Sequence, residues 1–145
     1  MPTRDPRHAR PGLGIFPRTY SSAYSASKAA LIRLSEITAL EARDRGISVF
    51  SIDPGAVQTP MLDSILESDD MGTRAPQIAT VFHEMIDGGA TRPPEDAARL
   101  VVSLASGEAD ALYCCYLGVD DDLVELMSRA DEIRERGCYT LRIRM

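Results

Sequence analysis

Along this chain, stretches whose apolar residues return every three or four positions alternate with short runs that are apolar throughout. Helical spacing begins at Ser21 and holds to Arg45, with Ala26, Ala29, Ala30, Ile37 and Leu40 near i, i+3, i+4 positions. Ser21 or Ser22 can cap its start, and Gly46 stands where a glycine just past a helix belongs. Leu31 and Leu34 fall off that stripe, so the helix is expected to be apolar on two sides. The run Ile47–Ile52 is short, β-branched and bounded by Gly46 and Pro54, which predicts a strand ended by the Asp53-Pro54-Gly55 turn. Two weaker helical stretches follow, at about 60–70 and 76–87. Pro93-Pro94-Glu95-Asp96 then opens a helix through Ala97, Leu100, Val101 and Leu104, closed by Gly107. Ala111–Val119 reads as a second buried strand, and Asp120–Asp122 begin a terminal helix through Leu123, Leu126 and Ile133 to Gly137.

Strands alternating with helices predict an α/β layer with parallel strands. Two strands make a marginal sheet, and a parallel sheet needs cover on both faces. The pattern therefore asks for more strands than the chain supplies. Residues 1–19 break every period with Pro2, Pro6, Pro11 and Pro17 and with Gly12 and Gly14, and read as irregular.

Composition narrows the class. The chain has 145 residues, enough for one core, and 44% are apolar. No apolar run approaches the roughly 20 residues of a membrane span. The Arg-containing start has no apolar stretch after it, and its prolines oppose an amphipathic transit helix, so a cytoplasmic location is expected. The net charge of −6 without a basic stripe speaks against nucleic acid as a partner. Cys114, Cys115 and Cys138 lack metal spacing and read as small hydrophobes, and His8 and His83 stand alone, so no metal site is expected.

The chemistry begins at Tyr24-Ser25-Ala26-Ser27-Lys28, which puts a phenol and an ammonium at i and i+4 on one helix face. A neighbouring cation favours a phenolate, and such a phenol can exchange a proton with a hydroxyl or carbonyl. The lysine can also donate hydrogen bonds to ribose hydroxyls. The spacing alone equally fits a surface helix with an unrelated Tyr and Lys. The succession decides: Tyr24–Lys28, Ala29-Ala30-Leu31, a long helix, a short strand, and then Asp53-Pro54-Gly55-Ala56-Val57-Gln58-Thr59-Pro60-Met61.

That succession resembles the short-chain dehydrogenase/reductase family, from about Tyr20 to the C-terminus, with Pro94–Ser106 and Tyr139-Thr140-Leu141-Arg142 also similar. The resemblance implies the C-terminal half of a doubly wound, Rossmann-like parallel sheet, with residues 20–145 as part of the family domain. It implies an oxidoreductase passing hydride between NAD or NADP and a small carbonyl or alcohol substrate. Tyr24 would be the acid/base, and Lys28 would support it and hold the nicotinamide ribose. Pro54 and Gly55 would line the nicotinamide site, Val57 would offer backbone groups to the carboxamide, and Thr59 would reach the carboxamide or pyrophosphate. The family form also implies a homo-oligomer paired through the tyrosine helix, without a membrane or nucleic-acid partner.

The chain departs from the family pattern at three points. The substrate-polarising serine belongs near Pro11, and residues 1–20 contain no serine. The catalytic asparagine has no counterpart, since the chain contains no Asn. The glycine-rich phosphate loop belongs far upstream of the tyrosine, and Gly12-Leu13-Gly14 follows no strand. A shortened, poorly active enzyme and a non-catalytic interaction protein both fit these departures, as do a mis-started gene product and a real loss. Neither the substrate nor the choice between NAD and NADP is legible. The apolar residues Leu31, Leu34 and Ile37 are expected to lack cover, which favours self-association.

Overall fold

A computed structural model of the protein describes Ile15 and residues 19–142. Of the segment read as irregular, Ile15 and Thr19 lie in turns; Gly12, Gly14, Pro11 and His8 lie outside the described residues. The chain forms α1 (Ser22–Ala42), β1 (Ser51–Asp53), α2 (Pro60–Leu66), α3 (Asp69–Arg74), α4 (Pro76–Asp87), α5 (Pro94–Ala105), β2 (Tyr116–Gly118), α6 (Leu123–Ser128) and α7 (Ala130–Arg136). Single turns of 3₁₀-helix at Arg43–Arg45 and Asp110–Leu112 complete the described elements. This is the α/β order expected, a partial Rossmann-like layer around a parallel pair of strands.

β1 and β2 pair in parallel with Ser51 opposite Tyr116, Ile52 opposite Leu117 and Asp53 opposite Gly118. Both strands are shorter than the sequence pattern predicts. Cys114 has φ +71, a left-handed conformation that takes the backbone out of the ladder and costs on the order of 1 kcal/mol for a side-chain-bearing residue. Only the Cys114 N–H to Val49 carbonyl bond, 2.9 Å, survives before the regular pairing begins. Tyr116 donates from its other edge to the carbonyl of Tyr139 at 2.8 Å, so the C-terminal segment runs beside β2.

The core lies on one side of this sheet. Leu100 and Leu104 of α5 meet Leu112, Cys115 and Leu117, and Leu126, Ala130 and Ile133 of α6 and α7 close over them. Asp122 caps α6 by accepting from the Val124 and Glu125 amides at 2.9 and 3.1 Å. The single terminal helix expected from 120 to 137 is in fact two, divided at Arg129 (φ −118, ψ 18). There the guanidinium bonds Glu125 behind and Glu132 ahead, and no Gly or Pro marks the break in sequence. The helix expected at 60–70 likewise splits into α2 and α3. Ala75, pressed out of helical geometry by Pro76, separates α3 from α4.

α1 is attached differently. Its buried positions are Ile32, Glu36 and Ala39; of the expected stripe, Ala29 is half-buried, while Ala26, Ala30, Ile37 and Leu40 face solvent. The buried stripe includes a carboxylate, which a search for apolar periodicity passes over. Glu36 is held by the Leu141 amide (2.6 Å to Oε1) and by the Arg33 guanidinium (2.5 Å to Oε2). Arg33 in turn donates to the Leu141 carbonyl at 2.6 Å. The pair thus grips both polar groups of one residue of the C-terminal segment. Leu31, Leu34, Ile37 and Leu40 are exposed, at 46–61%.

Candidate functional site

The residues singled out in the sequence fall in two places. Tyr24 and Lys28 lie in the first two turns of α1, where 3.6 residues per turn stacks positions four apart. The Lys28 ammonium stands 5.3 Å from the centre of the Tyr24 ring. Tyr24 is half exposed and Lys28 is exposed, with no hydrogen bond of the ammonium found among the described residues.

Pro54, Gly55, Val57 and Thr59 form the loop between the carboxyl end of β1 and α2. Asp53 Oδ1 accepts from the Gly55 amide at 3.0 Å and turns the chain off the strand. Gly55 has φ +73, and a Cβ there would lie 3.2 Å from both Arg92 Cδ and Val119 Cγ2. The backbone conformation therefore favours glycine at this point, and a side chain would also press on both neighbours. Thr59 caps α2, its hydroxyl oxygen accepting from the Leu62 amide at 3.3 Å, while Pro60 occupies the first helical position. The hydroxyl proton is left to donate elsewhere. Val57 pairs with Arg92 in a parallel bridge.

Arg92 escaped the sequence reading. It precedes Pro93-Pro94-Glu95-Asp96, and the faint signal was a cation placed just ahead of the acids of a helix's first turn. In the structure it reaches the α5 residue Asp96 at 3.4 Å and pairs with Asp120 beyond β2. A cavity of about 350 Å³ at this end of the sheet is bordered by Arg92, Asp96, Leu100, Val119, Asp121 and Leu123. Tyr24 and Lys28 do not line it, and no hydrogen bond or ion pair joins them to the Pro54–Thr59 loop among the described residues.

Burial pushes the Cys115 thiol up to about 11 and raises that of Cys114, with the Glu36 carboxylate adding to the latter. Both stay protonated near neutral pH, in keeping with small hydrophobes rather than nucleophiles. Cys114 donates its S–H to the Glu36 carbonyl at 3.6 Å.

Chemically, the site elements are a phenol with an ammonium beside it and a tight glycine turn at the carboxyl end of a parallel strand. Residues 14–121 match the family model described as enoyl-(acyl carrier protein) reductase. The chain is 32% identical over 116 residues to a short chain dehydrogenase of Monascus purpureus, covering 80% of this chain and 34% of that protein. It is 30% identical over 112 residues to the 3-oxoacyl-[acyl-carrier-protein] reductase of Thermotoga maritima, covering 77% and 42%. It is 35% identical over 106 residues to the 3β-hydroxysteroid dehydrogenase 1 of Eggerthella lenta, covering 73% and 38%. The chain thus spans well under half the length of these curated relatives. The matched segment begins before Tyr20 and stops short of α6. No solved structure gives a significant match.

Proposed function

Because the chain belongs to the short-chain dehydrogenase/reductase family, we propose that it serves NAD(P)-dependent oxidoreduction of a small carbonyl or alcohol, with Tyr24 as the proton-transferring group. The observation that carries this reading is the Lys28 ammonium 5.3 Å from the Tyr24 ring, on an exposed part of α1. A phenol on an exposed helix face can give up and take back a proton at its oxygen. In the reducing direction Tyr24 donates that proton to the substrate oxygen; in the oxidising direction it takes one from the hydroxyl. Lys28 also suits the hydroxyls of a ribose, which need donors at a fixed distance from the reacting carbon.

Chain geometry supports one site rather than two. The chain turns at Gly46, and Glu36 meets Cys114, which pairs with Val49. From that level, α1 rises about 12 Å back to Lys28, and β1 extends about 13 Å on to Asp53. If β1 runs back along α1, these lengths would bring the lysine and the Pro54–Val57 turn to one end of the layer. Ligands of open α/β sheets bind outside the carboxyl ends of the strands. At the Gly55 turn the backbone lies open to close approach, and Val57 and Thr59 carry the polar groups next along it. A nicotinamide dinucleotide bound there would supply or accept the hydride. NAD and NADP both remain in the proposal.

Residues 20–145 are taken as the C-terminal part of the family domain. Two of the relatives carry an oxo or a hydroxy group in their names, the 3-oxoacyl reductase and the 3β-hydroxysteroid dehydrogenase, and a small molecule of that class is the proposed substrate. No helix among the described residues is long and apolar enough to cross a membrane. A second reading, interaction without catalysis, draws on the exposed Leu31, Leu34, Ile37 and Leu40; the same face suits pairing with a second copy.

Calorimetric titration with NADH and with NADPH tests the proposal. At least one should bind, and Lys28→Met should weaken it about tenfold, the worth of a hydrogen bond from a charged donor. Absence of binding, or equal binding by the variant, would favour the interaction reading.

A further inference from the structure

Arg92 has attachments of three kinds to three segments. Its amide donates to the Ala56 carbonyl at 2.7 Å, continuing the bridge with Val57. Its Cδ packs where a Cβ on Gly55 would stand, 3.2 Å from that position. Its guanidinium reaches Asp96 Oδ2 in α5 at 3.4 Å and Asp120 past the end of β2. Asp96 is the more buried carboxylate and also pairs with Arg99. A backbone bond alone would leave the loop free to hinge about residues 56 and 57. The stem and head of Arg92 remove that freedom, because carboxylates on two other segments anchor the head. The Gly55 turn cannot shift toward α5 unless Arg92 gives way.

We propose that Arg92 is a positioning residue for the Pro54–Val57 loop, setting the height of the Gly55 turn over the strand ends without touching substrate or cofactor. This rests on the reading of that loop as the nicotinamide site. A purely structural arginine would support the fold as a whole. A positioning one acts locally and through its carboxylate partners.

The test compares Arg92→Met, Asp120→Asn, the double variant and Arg92→Lys in the full chain. Arg92→Met keeps an unbranched stem and the backbone amide but removes the guanidinium. Asp120→Asn alters a half-exposed partner and leaves the core intact. ¹⁵N relaxation should show the Gly55–Val57 amides falling from about 0.85 to below about 0.6 in order parameter in both single variants. The double variant should go no further, and Arg92→Lys should recover part of the loss. Thermal midpoints and the order parameters of β2 should stay at wild-type values. NADH and NADPH affinities should fall severalfold in the variants whose loop loosens. Unchanged loop order parameters, loss spread evenly over the chain, or single effects that simply add would overturn the proposal. A wild type that binds neither nucleotide would overturn the reading of the site, while the relaxation data would still decide whether Arg92 holds the loop.

Discussion

Around β2, α5, α6 and α7, Leu100, Leu104, Leu126 and Ile133 turn inward and Leu112 and Leu117 are 1% and 0% exposed, while Val101, Val102 and Val124 face out. On α1 Leu31, Leu34, Ile37 and Leu40 turn outward while Ile32 is buried, and a carboxylate occupies the middle of the buried stripe. The first region is held by burial, worth roughly 2 kcal/mol per large side chain. The second is held by a polar clasp, Arg33 and Glu36 on Leu141, together with Ile32 and Ala39. The proposed proton-transferring pair rides on the second region. In the proposal, this pair thus sits apart from the buried core, on a helix tied down by a few polar contacts.

That contrast can be broken by mutation. Leu117→Ala should cost about 3 kcal/mol in urea unfolding, the usual loss for a buried leucine; a loss under about 1 kcal/mol would show that this region is not the core. Glu36→Ala should cost about 1–2 kcal/mol, because the Leu141 amide loses its acceptor and Arg33 its partner. Glu36→Gln, which keeps an acceptor for that amide, should cost less, and equal losses would contradict the clasp. Alkaline pH sharpens the picture of the core. The folded Cys115 thiol titrates at about 11 against an ordinary 9, so folding favours the protonated form. Its contribution is complete below about pH 9 and disappears as pH rises toward 11. The urea midpoint should therefore fall across that interval more steeply in the wild type than in Cys115→Ala. Leu34→Ser should have the smallest effect on stability, within about 0.5 kcal/mol for a surface site, while lowering self-association in sedimentation velocity. A large destabilisation would mean that Leu34 is covered after all.

The two regions were also unequally legible in the sequence. Strong punctuation survived: Gly46, Pro76, Pro94 and Gly137 mark real ends, because proline and glycine act through local backbone geometry. Leu100, Leu104, Leu126 and Ile133 kept helical spacing and are buried, as the pattern required. What was not legible depends on distant partners. The buried stripe of α1 hides behind Glu36, whose burial makes sense only with Leu141 in place, 105 residues away in sequence. The left-handed turn at Cys114, which shortens both strands, carries no glycine to announce it. Arg92 gains its place from Gly55, Asp96 and Asp120, three separate segments. The Tyr24–Lys28 pair was legible because four residues on a helix fix its geometry locally.

Tyr24, Lys28 and the Gly55 turn are proposed to form one nicotinamide site. Saturation-transfer NMR on NADH and NADPH, with wild type and Gly55→Val, tests it most directly. The proposal assigns all of these residues to the nicotinamide half, so the wild type should saturate nicotinamide and adjoining ribose protons more than adenine protons. Valine at a position with φ +73 and neighbours at 3.2 Å should abolish that pattern. Saturation centred on adenine, or an unchanged pattern in the variant, would contradict the account.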